Sequence, residues 1–78
     1  KNYFLVDVDK EILQEAGVVF CKMEIDDQVG VVIDDGNISR ALEILQAEVV
    51  AEHHTSYEGI VRVELQDIRS DVEAEPDF

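Results

Sequence analysis

The chain has 78 residues and a hydrophobic content of 46%, enough for one small core and too short for a second. Nineteen acidic residues against six basic ones give a formal net charge of −13. With so little Lys and Arg, unaided binding to DNA, RNA or an anionic membrane is ruled against, because those partners are recruited by neutralising phosphate.

The single cysteine, Cys21, cannot form an internal disulfide, whereas a small secreted domain normally carries several. A reducing, cytoplasmic setting is expected. No apolar run approaches the ~18 residues of a membrane span, and the first eight residues lack the apolar stretch of a signal peptide.

The segment Asn2 to Val8 (NYFLVDV) is dense in aromatic and β-branched residues and predicts a strand. Asp9 then supplies an N-cap, Ile12, Leu13 and Ala16 an apolar side, and Gly17 a C-terminal cap, which together predict a helix of about two turns. From Val18 to Ile25 the pattern alternates, with Val19, Cys21, Met23 and Ile25 on one face and Lys22 and Glu24 on the other. Asp26, Asp27 and Gln28 interrupt it over a hairpin's length, and Val29, Val31 and Ile33 resume it.

Asp34, Asp35, Gly36 and Asn37 are turn residues ahead of a helix in which Ile38, Ala41, Leu42 and Leu45 fall at i, i+3, i+4 and i+7. Beyond Glu48 the chain becomes β-like again, turns at Glu58 and Gly59, and alternates Val61, Val63 and Leu65 against Arg62 and Glu64. Residues 1–68 therefore read as a single domain, and the acid-rich segment Arg69 to Phe78 as a mobile tail.

The order β-α-β-β-α-β, with room for an extra C-terminal strand, predicts an α+β ferredoxin-like sandwich: an antiparallel sheet with two helices on one face. In that expectation the first and third strands run parallel, which brings Asp7 and Asp9 to the same edge as Asp34 and Asp35. Asp26 and Asp27 sit at the opposite edge. The segment DDGNISRALEIL, Asp34 to Leu45, also resembles a stretch of the regulatory ACT domains, amino-acid sensors of the same fold. The resemblance covers a dozen residues and implies a small amino acid bound at a dimer interface. The Gly-containing loop that follows the first strand of those domains is replaced here by Asp9-Lys10-Glu11.

Among candidate sites, Asp7, Asp9, Asp34 and Asp35 together offer oxygens suited to Mg2+ or Ca2+, but the run lacks the spacing of a calcium loop, and Asp9 and Asp35 are expected instead as helix N-caps. His53 and His54, as neighbours on a strand, point to opposite faces and do not chelate one ion. Cys21 falls in phase with Val19 and Met23 and is expected in the core. Tyr3 and Tyr57 are expected to pack, since base stacking normally comes with a basic groove. No nucleophile with a base, no phosphate-binding loop and no cofactor motif can be assembled, so neither catalysis nor a cofactor or metal is expected.

The charge is the feature that points to function, because like charge in such excess destabilises a small domain. We expect an acidic module that occupies a basic surface of a nucleic-acid-binding protein, through Glu24, Asp26, Asp27, Asp34, Asp35, Glu43, Glu52, Glu58 and Glu64. Most concretely it is expected to act as a nucleic-acid mimic that inhibits a nuclease, a repressor or a CRISPR effector, and in size and charge it is similar to phage-encoded inhibitors of host defence. Homodimerisation through an exposed strand edge is a further possibility.

Overall fold

In the computed structural model, residues 1–68 are described; the expected tail lies outside them. They form five strands and two helices. β1 (Asn2–Val6) stops where Asp7 takes a φ of +64°, a left-handed conformation that Asp tolerates better than most residues and a strand does not accommodate. In α1 (Lys10–Glu15) the Asp9 carboxylate accepts the N–H groups of Glu11 at 3.0 Å and Ile12 at 3.4 Å, as a cap must. At the other end Gly17 has φ +81°, its N–H donates to Gln14 O at 3.1 Å, and Val18 N–H donates to Leu13 O at 3.0 Å. This is a Schellman closure, with the buried pair Leu13 and Val18 as its apolar clasp.

Val18 therefore belongs to the helix end, and β2 (Cys21–Ile25) starts three residues later than the alternation suggests. Ile25 faces Gln28, which leaves Asp26 and Asp27 alone in the turn with φ of 52° and 69°. Two positive values mark a type I′ turn, the tightest link to β3 (Gln28–Asp34). Asp34 then binds Asn37 twice, accepting its backbone N–H at 3.0 Å and its side-chain amide at 2.8 Å. Asn37 caps α2 (Ile38–Leu45) without a side-chain bond, so the capping role expected of Asp35 is not taken up. Gln46 closes α2 in the left-handed region and leads directly into β4 (Ala47–His54). Thr55 Oγ1, 2.9 Å from Ile60 O and accepting the Tyr57 N–H at 3.1 Å, shapes the turn into β5 (Ile60–Asp67).

The sheet order is β2-β3-β1-β5-β4. β1 is antiparallel to β3, with Asn2 opposite Asp34 and Val6 opposite Gly30, and parallel to β5, with Tyr3 opposite Val61. Two expectations are corrected here. The sheet is mixed, because β5 enters between β1 and β4 and runs parallel to β1; alternation reveals a strand but not its neighbour. The first and third strands are antiparallel, so the ends of β1 and β3 lie at opposite edges.

Both helices cover one face, where Leu5, Val31, Ile33 and Val63 meet Leu13, Val18, Ile38 and Ala41. Each of the Leu, Ile and Val side chains contributes roughly 1.5–3 kcal/mol when buried. Arg40 Nη2 donates to Ala16 O at 2.9 Å and ties α2 to the end of α1. The face away from the helices is not flat and wet: Phe4 and Ile25, which point to it, are 0% and 1% exposed. Gly30 makes room for this, since a Cβ there would fall on Leu5 O and 2.9 Å from Phe4 Cε1. The sheet also coils until two diagonal corners meet, and Ser56 N–H donates to Asp26 Oδ2 at 3.0 Å. That bond joins the β2–β3 turn to the β4–β5 loop over a cavity of about 210 Å³.

Candidate functional site: the carboxylate surface

Every Asp and Glu among the described residues is exposed, and none of the buried side chains is polar or charged. The nine residues expected to meet a partner are distributed by the topology as follows. Asp34 and Asp35 end β3 beside the start of β1, and Glu58 precedes Gly59, whose carbonyl accepts the Asn2 N–H at 2.9 Å. Glu52 reaches toward the same region through Lys1 Nζ at 3.4 Å, and that ammonium lies 5.7 Å from the Tyr3 ring. The Tyr3 hydroxyl is raised above its ordinary pKa of 10.0, first by its hydrogen bonding to the Asp35 carboxylate, then by partial desolvation and by the negative charge of Asp35.

Asp26 and Asp27 belong to the opposite end of β3, but the coil of the sheet carries their turn against the loop that holds Glu58. The acids of the two hairpin connections thus share one corner. Asp26 also has a structural duty that the sequence does not announce. Glu24 projects from edge strand β2 opposite Val29, and Glu43 from the solvent side of α2, so neither joins that corner. Glu64 lies on the far face and pairs with His53 Nε2 at 3.0 Å.

The cation site suggested by Asp7, Asp9, Asp34 and Asp35 does not assemble. Antiparallel pairing puts Asp7 and Asp9 past one end of β1 and Asp34 and Asp35 at the other, five residues or ~17 Å apart. Among the described residues no group of three or more His, Cys, Asp or Glu side chains converges in a way that holds a metal.

Cys21 is exposed, against expectation. The alternation is correct, but its face is the one away from the helices, and Cys21 opens the outer strand where nothing covers it. His53 is half-buried and His54 exposed on β4. Two features escape the sequence. Arg62 is half-buried on the far face, where it lines the cavity beside Phe4. An apolar groove also opens beside α1, bordered by Asp7, Asp9 and Asp67. Each draws on four or more separate segments, so no local pattern signals it.

Among the described residues no helix is long and apolar enough to cross a membrane. No family model, curated protein or solved structure matches the chain.

Proposed function

We propose that this protein is an acidic binding module of the cytoplasm that occupies a basic surface of a nucleic-acid-binding partner and competes there with the natural polyanion. It acts by binding and not by catalysis. In architecture we take it as a ferredoxin-like βαββαβ sandwich with one strand inserted beside β1.

The observation that supports this reading is the idleness of the charge. All described carboxylates are exposed, and Glu24, Asp27, Glu43 and Glu58 make no ion pair or side-chain hydrogen bond among the described residues. These acids therefore add self-repulsion without a compensating contact, in a chain whose size permits only ~3–5 kcal/mol of total stability. A polyanionic surface retained at that cost suits electrostatic steering toward a cationic partner. Candidate partners are nucleases, repressors and CRISPR effectors, which expose basic grooves for phosphate.

The test is affinity capture from source cells at low and high salt, with the protein and with a variant carrying Glu24→Gln, Asp27→Asn, Glu43→Gln and Glu58→Gln. A nucleic-acid-binding protein retained at low salt, released by added DNA or RNA and retained less by the variant is the expected result. Retention that ignores salt, nucleic acid and the four substitutions contradicts the proposal.

A further inference from the structure

The helical layer leaves one end of the sheet open. α1 has six residues, ~9 Å of helix, whereas β5 has eight, ~27 Å of strand. The uncovered end is a groove of about 320 Å³, bounded by the β1–α1 connection, α1, the end of α2 and the ends of β4 and β5. Its floor is apolar, made by Val8, Ile12, Ile44, Leu45 and Leu65, with Ile12 40% exposed. Asp7, Asp9 and Asp67 stand around it, and among the described residues no basic side chain lines it.

We propose that this groove receives a basic peptide segment of the partner, with an Arg or Lys side chain laid along it. The methylene stem covers Ile12, Ile44 and Leu45 while the charged head meets the carboxylates of Asp7 and Asp9, the arrangement by which long cationic side chains pack on apolar surface and keep the charge at a polar margin. The inference rests on the proposed basic partner and adds the place where one of its side chains seats. Charge selects this occupant over the alternatives. The chain's own segment 69–78 carries four acids against one Arg, a net charge of the same sign as the rim. A second copy brings another −13. A neutral apolar ligand would desolvate the carboxylates of Asp7 and Asp9 without offering them a cation.

The experiment is an NMR titration of the isotope-labelled full chain with a short capped peptide of alternating arginine and leucine, and with the same peptide carrying uncharged citrulline for arginine. The arginine peptide is expected to shift signals of Val8, Ile12, Ile44 and Leu45 saturably, and the citrulline peptide to bind more weakly. The double variant Asp7→Asn, Asp9→Asn is expected to lose roughly threefold to tenfold in affinity. It keeps the fold, because Asn accepts the left-handed conformation of Asp7 and caps a helix as well as Asp. Ile12→Ser is expected to weaken binding in the same direction without altering rim charge. Shifts confined to the surroundings of Glu24, Asp27, Glu43 and Glu58 overturn the groove while leaving the general charge reading standing. Absence of binding at any site counts against both. Groove signals that move with protein concentration alone, or together with those of residues 69–78 in the Ile12→Ser variant, assign the groove to a second copy or to the chain's own end and overturn the proposal.

Discussion

Replacing Gly30 by Ala probes the feature that makes the far face a second buried layer. The added Cβ would land on the Leu5 carbonyl oxygen and 2.9 Å from Phe4 Cε1. Neither obstacle can give way cheaply: the first is backbone held in the β1–β3 ladder, and the second belongs to a ring that is 0% exposed. Ala restricts the unfolded chain and so returns about 0.4–1 kcal/mol, whereas overpacking a closed site costs about 1–3 kcal/mol. Because a backbone atom is in the way, the upper part of that range applies, and a net loss of about 2 kcal/mol is expected. That is a large share of the ~3–5 kcal/mol such a domain commands, and it lowers Tm by roughly 8–16 °C at ~4–8 °C per kcal/mol. Urea unfolding followed by far-UV circular dichroism measures it as a lower midpoint with an unchanged slope. The loss should shrink in a Phe4→Leu background, where one of the two obstacles is gone, and the difference is the coupling between the sites. A Gly30→Ala midpoint equal to or above that of the parent refutes the close approach of Phe4 and β3.

Three other outcomes follow from the same geometry. Asp27→Gly should stabilise the hairpin by about 0.5–1 kcal/mol, since Gly relieves the φ of 69° at the second turn position; Asp26→Gly should gain less in the same urea assay, because it also removes the bond to Ser56. Cys21 should react with a thiol reagent in the native protein at close to the rate of the unfolded chain, and protection by orders of magnitude would put it back in the core. Tyr3 should ionise above 10.0 in an ultraviolet pH titration, and Asp35→Asn should move its midpoint down. The sign follows from the neutral phenol being favoured in the folded state: whatever stability this contact gives is present below pH 10 and is lost as pH rises through the elevated value.

Local chemistry carried much of the architecture. The stripe Ile38, Ala41, Leu42, Leu45 marks α2 residue for residue, and Asp9 with Gly17 brackets α1 because capping depends on adjacent backbone groups. What the sequence withheld is non-local. Period two in Ile60 to Leu65 identifies β5, yet its entry beside β1 is decided by the whole sheet, and the antiparallel pairing of β1 with β3 is equally non-local and sends Asp7 and Asp9 to the edge opposite Asp34 and Asp35. Cys21 has the alternation of a core residue on a face that only the coiled corner near Phe4 and Ile25 buries. Val18 was misplaced because the same apolar residue suits a strand start and a Schellman clasp. The exposure of the carboxylates was readable from composition, while the meeting of the Asp26–Asp27 turn with the loop that holds Glu58 depends on a contact between residues thirty apart in sequence.

The proposed function has exposed, idle carboxylates binding a basic surface in place of nucleic acid. Its most direct test is the dissociation constant of the complex with the captured partner, measured across a salt series for the parent chain and for the variant lacking the charges of Glu24, Asp27, Glu43 and Glu58. Affinity is expected to fall steeply and linearly with salt on a log–log plot, with a shallower slope for the variant and displacement by DNA or RNA in both. A constant that stays flat across the series and survives the four substitutions would contradict it.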